Sequence, residues 1–185
     1  MKIFLVGVSC VGKTTIGKRL ANRLGFQFFD FDEEVEKCFA MPISKARSRF
    51  LTEYSFRAEA SNALKRLIKE NGDRDYVVAM PPSGLKDSYW RILKKLDAII
   101  IALKDKPENI LDRITFYDDD SIPIHKELTP NEEAFQLKDI REDMAYFGKS
   151  YQRAHQRVNI AGLGIEGSVE KIIDCLQKRP EILTA

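Results

Sequence analysis

The stretch GVSCVGKTT, residues 7–15, directly follows the apolar run KIFLV near the start of the chain. Its residues Gly7, Gly12, Lys13 and Thr14 match the pattern G-x-x-x-x-G-K-[ST]. In this pattern the glycines let the backbone curl, so that several N–H groups and the positive end of the next helix face one phosphate chain. A strand before the loop and a helix after it are the surroundings that the pattern requires. The stretch therefore predicts a strand–loop–helix unit that binds phosphate.

The last residues of this loop predict a nucleoside triphosphate as the ligand. Lys13 is long enough to reach β- and γ-phosphate oxygens, and the Thr14 hydroxyl can ligate magnesium. A glycine-rich turn that binds nothing is the alternative, but a chance match in such a chain is expected on the order of once in a hundred or less. The residues predicted to contact the nucleotide are Gly7, Cys10, Val11, Gly12, Lys13, Thr14 and Thr15.

Apolar runs alternate with segments of helical periodicity over the rest of the chain. The predicted strands are KIFLVG, FQFFDFD, DYVVAM, LDAIIIAL and RVNIAG. A helix-rich stretch is predicted over residues 33–69, and further helices over 14–24, 90–96, 106–114, 131–155 and 169–177. Continuous apolar strands separated by helices are typical of a parallel sheet covered on both faces. We therefore expect one α/β domain over residues 1–185, with an irregular segment at 115–130.

The composition limits the classes of partner. Apolar residues make up 44% of the 185-residue chain and charged residues 31%, but the formal net charge is only +2. So small a surplus argues against nucleic-acid and membrane-surface partners, and no run of about 18 apolar residues is present to span a membrane. The cysteines Cys10, Cys38 and Cys175 form no CxxC pair, which favours a reducing compartment. We expect a cytoplasmic protein that is a monomer or a weak dimer.

Two acids follow the second predicted strand. Asp30 and Asp32 stand two residues apart in FFDFDEEVE, so in a strand their side chains would lie on the same side. The carboxyl ends of parallel strands face the ligand crevice. There, one carboxylate can bind hydrated magnesium, and the other can hold an acceptor hydroxyl or take its proton. The alternative is that Asp32 caps the following helix, but the nearby phosphate loop favours the catalytic interpretation.

With these motifs in place, the chain resembles the shikimate kinase family. The matches are GVSCVGKTTIGKRLANRLG, FFDFDEEVE and EYSFRAEA, in this order and at nearly the family spacing, and fainter ones continue through YVVAM, AIIIAL, ILDRI and SYQRAHQRVNI. The resemblance implies a three-layer P-loop kinase fold with a central parallel five-stranded sheet, helices on both faces and a mobile lid, here roughly residues 115–130. It also implies Mg²⁺-dependent transfer of the γ-phosphoryl group of ATP to a hydroxyl of shikimate.

On the nucleotide side, the resemblance implies that Lys13 holds the β- and γ-phosphates and that Thr14 binds magnesium, with Asp30 supporting the metal site from behind its direct ligands. Arg113, in LDRI, matches an arginine near the lid that lies over the nucleotide. A local ion pair between Arg113 and the acids at positions 112 and 118–120 stays open as an alternative.

On the acceptor side, the resemblance implies that Asp32 holds the acceptor hydroxyls and acts as the catalytic base. Arg57, in FRAE, would pair with the carboxylate of the acceptor. The alternative for Arg57 is an ion pair on the surface of its helix, because arginine is mostly exposed. The predicted catalytic residues are therefore Lys13, Asp32 and Arg113, and the predicted substrate-binding residues are Asp32 and Arg57.

The acceptor side also departs from the family pattern. Pro81, Pro82 and Ser83 replace a glycine triplet, and proline has no N–H to donate and a fixed φ. Ile122 and Phe147 stand where the family has arginines. Removing the charged partner of a buried carboxylate costs about 3–5 kcal/mol. We therefore expect either that shikimate is bound differently or that the acceptor is another hydroxylated compound.

Several possibilities stay open. Lys149 and Arg141, on the same predicted helix as Phe147, are candidates to replace the lost charge. A nucleotide-binding regulatory protein without phosphotransfer would explain the altered acceptor side, although the presence of Asp30, Asp32 and Arg57 argues against it. A nucleoside or nucleotide kinase would need aromatic residues such as Tyr54 to recognise a base. The acidic run at residues 118–120 is interpreted as solvated loop, with a second metal site as the weaker alternative.

Overall fold

The computed structural model describes residues 1–117, 123–124 and 126–178. Its strands are β1 (Lys2–Val6), β2 (Gln27–Asp30), β3 (Tyr76–Ala79), β4 (Ile99–Lys104), β5 (Phe116–Tyr117), β6 (Pro123–Ile124) and β7 (Gln156–Asn159). Its helices are α1 (Lys13–Leu24), α2 (Phe31–Phe39), α3 (Ile43–Ser48), α4 (Glu53–Glu70), α5 (Asp87–Leu93), α6 (Pro107–Leu111), α7 (Pro130–Tyr151) and α8 (Ile165–Gln177). None of these helices is long and apolar enough to cross a membrane.

Five strands form one parallel sheet in the order β2–β3–β1–β4–β7. Strand β1 lies at its centre, where Leu5 is opposite Ala79 of β3 on one side and Ile101 of β4 on the other. The predicted α/β class with a central parallel five-stranded sheet is confirmed. Because all the strands run the same way, their carboxyl ends meet at one edge, where ligands of such sheets bind.

The core continues on both sides of the sheet. The consecutive residues Ile3, Phe4, Leu5 and Val6 are all fully buried, and successive side chains of a strand point to opposite faces. Burial at every position therefore means that both faces of β1 are covered, as is typical of a parallel sheet between helices.

The chain changes from strand to helix between the two predicted catalytic acids. Strand β2 ends at Asp30 and α2 begins at Phe31, so the prediction of a strand through Asp32 is wrong. The N-cap is Asp30 and not Asp32, because Oδ1 of Asp30 accepts a hydrogen bond of 3.1 Å from the backbone N–H of Asp32. A carboxylate there satisfies an N–H without a partner inside the helix and is favoured by the helix dipole. The first turn of α2, rather than strand alternation, therefore positions Asp32.

Strands β5 and β6 pair antiparallel within the segment predicted to be irregular, with Phe116 opposite Ile124. The acidic run at residues 118–120, Ile122 and His125 lie outside the described residues. The lid at 115–130 and the extent of a single domain over 1–185 therefore stay predictions.

The turn after β3 depends on a close backbone approach at Gly84. Its N–H donates to the carbonyl oxygen of Pro81 at 2.8 Å. A Cβ atom at Gly84 would lie 2.7 Å from the Cβ of Met80 and 3.0 Å from the carbonyl oxygen of Pro81. Neither of these atoms is the end of a flexible side chain, so the turn has no room for a larger residue.

We expect Gly84→Ala to lower the free energy of unfolding by about 1–3 kcal/mol, because overpacking forces the backbone to shift. Urea denaturation measures this change. The matched control is Gly148→Ala in α7, where an added Cβ meets nothing within 4 Å and better helix propensity should raise stability by about 0.5–1 kcal/mol. A Gly84→Ala protein as stable as the wild type would contradict the close approach.

Candidate active site

The loop between β1 and α1 ends in an uncapped helix terminus. Gly12, the N-cap residue of α1, has a φ of 103° and makes no side-chain cap, and glycine adopts this conformation without steric cost. At Gly7, a Cβ atom would lie 2.9 Å from the carbonyl oxygen of Leu103 in β4, so only glycine fits beside that strand. No side chain among the described residues accepts a hydrogen bond from the first N–H groups of α1, and free N–H groups at a helix start are the arrangement that binds anions.

Lys13 folds back over this loop. Its Nζ donates to the carbonyl oxygens of Gly7 at 3.0 Å and Val8 at 2.7 Å. Burial lowers the pKa of Lys13 from its ordinary value of 10.5 to about 8, against the attraction of Asp32 and Asp30. An additional anion beside this ammonium group would favour its charged form.

Thr14 and Asp30 are in direct contact. The Thr14 hydroxyl donates to Oδ2 of Asp30 at 2.7 Å, while Oδ1 of Asp30 caps α2. A hydroxyl and a carboxylate side by side are hard oxygen donors of the kind that Mg²⁺ prefers. Magnesium at nucleotide sites is usually bound by one or two such protein groups together with phosphates and water. This pair therefore fits the predicted magnesium site.

Asp32 is a half-buried carboxyl close to these groups. Burial, and then the negative charge of Asp30, raise the pKa of Asp32, while Arg47 and Lys13 oppose the shift. A raised pKa makes a carboxylate a better proton acceptor, and such shifts are common in catalytic sites. Lys13, Asp30 and Asp32 therefore lie close enough together for their charges to shift the pKa values of Lys13 and Asp32.

A cleft of about 600 Å³ opens at the loop, a size that suits a nucleotide. The predicted nucleotide-binding residues from Cys10 to Thr15 all line it, together with Arg113, whereas Gly7 does not. The segment between β7 and α8 also lines it through Ile160, Leu163 and Gly164, and the first turn of α8 lines it through Ile165 and Ser168. These residues could not be predicted from the sequence, because residues that line a cleft without a conserved chemical group form no recognisable motif.

Arg113 is fixed beside the loop by an acid that the sequence analysis did not consider. Its Nη2 forms an ion pair of 2.7 Å with Oδ2 of Asp105, whose side chain has no exposed surface. Burial favours a higher pKa for Asp105, but hydrogen bonds from Asn109 and the Lys106 backbone N–H, together with Arg113, hold its pKa below the ordinary value. Arg113 therefore lines the cleft with an ionised partner behind it.

Arg57 is buried on α4 and is already paired with an acid. Its Nε and Nη2 lie 2.9 Å and 2.8 Å from Oδ2 of Asp87, and its Nη1 lies 3.5 Å from Oε2 of Glu53. Asp87 has a φ of 45°, which is uncommon for a residue other than glycine. Arg57 is therefore in an ion pair, as the alternative expected, but it is buried and not on the surface of its helix. A carboxylate ligand would have to compete with Asp87 for this arginine, and its substrate-binding role stays a prediction.

The turn that replaces the glycine triplet is in contact with the end of α7. The carbonyl oxygen of Pro82 accepts a hydrogen bond of 2.9 Å from the Tyr151 hydroxyl. Phe147 stacks on the Tyr151 ring with centroids 6.4 Å apart and planes at 22°. Phe147 therefore packs where the family pattern places an arginine, and the contact offers an aromatic surface in place of a charge.

The two candidate replacements for the lost charge differ in position. Arg141 is exposed, and its Nη2 lies 3.2 Å from Oε1 of Glu108 in α6. Lys149 lines a second cleft that also contains Arg57. Only Lys149 is therefore placed near a predicted acceptor-side residue.

Comparisons with known proteins show the family of this chain. The shikimate kinase family model (SKI) matches residues 9–177. The chain belongs to the shikimate kinase family. A shikimate kinase of Thermodesulfovibrio yellowstonii is 30% identical over 171 residues, which are 92% of this chain and 92% of that protein.

Solved shikimate kinases share the fold of this family member. The structure from Bacteroides thetaiotaomicron matches with a TM-score of 0.75 at 20% identity, over 96% of this chain and 98% of that one. The structure from Acinetobacter baumannii in complex with shikimate matches with a TM-score of 0.72 at 24% identity, over 97% and 94%. Together with the family match, these findings make the chain an ATP-dependent small-molecule kinase with a P-loop.

We expect Lys13→Met to stabilise the fold at neutral pH. The folded-state pKa of Lys13, about 8, is below its ordinary value of 10.5, so burial of the charged form opposes folding below pH 8. After allowance for the lost hydrogen bonds, the substitution should raise the free energy of unfolding by about 1–3 kcal/mol. This gain in stability should shrink as the pH rises from about 8 towards about 10. In that range the wild-type lysine is neutral in the folded state, and the free energy needed to remove its proton falls with rising pH.

Urea denaturation at several pH values measures both effects. The control Lys18→Met changes an exposed lysine of the same helix and should alter stability by no more than about 0.5 kcal/mol. A Lys13→Met protein that is less stable than the wild type at neutral pH would contradict the conclusion that burial of the charged Lys13 side chain destabilises the fold.

Proposed function

We propose that this kinase transfers the γ-phosphoryl group of ATP, with Mg²⁺, to a hydroxyl of a small molecule held beside Asp32. The observation that carries the proposal is the convergence of Lys13, the Thr14–Asp30 pair and Asp32 at one end of the phosphate-binding loop. Phosphoryl transfer needs mainly positioning and neutralisation of charge, and these groups supply both.

On the nucleotide side, Lys13 would exchange its carbonyl contacts for β- and γ-phosphate oxygens. Thr14 and Asp30 would hold magnesium, which when bound neutralises charge on the phosphates. Arg113, held by Asp105 at 2.7 Å, would add positive charge near the phosphates. The apolar residues between β7 and α8 would pack against the base.

On the acceptor side, Asp32 would orient the attacking hydroxyl and accept its proton. Its raised pKa supports this role, because proton acceptors work best with a pKa nearer the working pH. A protein that only binds nucleotide has no use for such a carboxyl, so Asp32 favours transfer over a purely regulatory role.

We further propose that the acceptor is not recognised as the family pattern implies. Arg57, which would bind the carboxylate of the acceptor, is already paired with Asp87 at 2.8 Å. Phe147, at the position of a second family arginine, carries no charge and packs on Tyr151. The acceptor is then either shikimate held by other groups or another hydroxylated compound. A cytoplasmic location, the monomeric or weakly dimeric state and the absence of nucleic-acid partners stay predictions.

A coupled ADP-release assay with Mg²⁺ and ATP, run over a panel of hydroxylated compounds that includes shikimate, tests the proposal. We expect at least one compound to stimulate ADP release, and we expect Lys13→Ala to abolish it. Asp32→Asn should lower kcat by roughly 10²–10⁴-fold while nucleotide binding persists, because only the proton acceptor is lost.

The matched control is Asp139→Asn, an exposed aspartate of α7, which should retain wild-type kcat. Slow ATP hydrolysis that no compound stimulates, and that Asp32→Asn leaves unchanged, would contradict transfer and favour the regulatory alternative.

A further inference from the structure

A second cleft, of about 660 Å³, lies where α4, α5 and α7 meet. Five basic side chains line it, and we call it the basic cleft. They are Arg57 from α4, Lys86 and Arg91 from the start and middle of the α5 region, and Lys149 and Arg153 from the end of α7 and just beyond. The chain carries a formal net charge of only +2, so this is a local concentration of positive charge.

The basic cleft contains more positive charge than its own acid can neutralise. Its single acidic lining residue is Asp87, and that carboxylate is bound to Arg57 through contacts of 2.9 Å and 2.8 Å. Within the described part of the chain, the other four basic side chains form no ion pair with a carboxylate. Clefts lined by one sign of charge concentrate ligands of the opposite sign.

Aromatic rings and carbonyl oxygens, rather than acids, position these cations. The Nζ of Lys86 lies 3.3 Å from the ring centroid of Tyr146. The guanidinium of Arg153 lies 5.4 Å from the ring centroid of Trp90 and donates to the carbonyl oxygen of Leu85 at 2.6 Å. Such contacts hold a side chain in place without cancelling its charge. Lys86 and Arg153 are therefore oriented and still able to bind an anion.

We propose that the basic cleft binds the phosphate group of a small molecule. A phosphate dianion offers several acceptor oxygens to the N–H donors of Lys86, Lys149 and the arginines, and bonds between charged groups are the strong ones. The carboxylate of Asp87 disfavours a ligand that needs Arg57, whereas a phosphate can be bound by the other four cations. The volume is that of a small-molecule site.

The phosphate can come from two sources with the same chemistry. It can belong to the acceptor, so that the kinase acts on a phosphorylated polyol, or to a separate ligand that is not phosphorylated. The first source rests on the proposed function, but the binding site does not. Binding and turnover therefore need separate measurements.

Trp90, the one tryptophan of the chain, lines the basic cleft and reports binding through its fluorescence. The probes are inorganic phosphate and the pair glycerol 3-phosphate and glycerol, at matched ionic strength and with saturating ADP to occupy the P-loop. We expect saturable changes with the two phosphates and none with glycerol. Lys149→Gln should weaken binding roughly tenfold, by loss of one charged contact. The control Lys138→Gln, an exposed lysine of α7 paired with Glu142, should not change it.

No saturable signal with either phosphate in the presence of ADP, or equal affinity in Lys149→Gln and wild type, would overturn the proposal. With Mg²⁺ and ATP present, ADP release that needs both glycerol 3-phosphate and Lys149 would assign the phosphate to the acceptor. Binding of glycerol 3-phosphate without ADP release would support the cleft as a site for a separate ligand. The ADP-release assay with the panel of hydroxylated compounds would then still test the proposed kinase activity independently.

Discussion

The carboxylate of Asp30 holds together the parts on which the site depends. Its Oδ2 accepts a hydrogen bond from Thr14 in the first turn of α1, and its Oδ1 caps α2 through the backbone N–H of Asp32. Because β2 ends at this residue, one side chain fixes the sheet edge, the phosphate-binding loop and the proposed base relative to one another. The N-terminal ends of α1 and α2 therefore both contact the carboxylate of Asp30, and the dipoles of both helices favour its negative charge.

The two halves of the site follow different physical rules. The nucleotide half is specified by backbone geometry, by close approach at Gly7 and by the hard oxygens of Thr14 and Asp30, and few substitutions satisfy all of these at once. The proposed acceptor half would depend on side-chain charge, which can be redistributed. The carboxylate of Asp87 pairs with Arg57, and Lys149 of α7 adds positive charge to the basic cleft. A family member could therefore keep its phosphoryl donor and bind a different acceptor, as we propose here.

Much of this could be predicted from the sequence, and the limits have physical causes. The loop motif and the apolar strands predicted the parallel sheet, because glycine placement and continuous burial are local signals. Alternation alone could not show that Asp30 ends β2, since a capping carboxylate and a strand residue look alike in sequence. The partners Asp87 and Asp105 were missed because each meets its arginine only after folding. The roles of Lys13, Asp32, Arg57 and Arg113 stay predictions.

The most direct test of this account is the effect of Mg²⁺ on ADP affinity in the wild type and in Asp30→Ser, measured by calorimetry. Serine is also a good N-cap, so the free energy of unfolding should stay within about 1 kcal/mol of the wild type. The account predicts that Mg²⁺ strengthens ADP binding in the wild type and that most of this gain disappears in the folded variant. The same magnesium dependence in both proteins would contradict the central role of the Thr14–Asp30 contact.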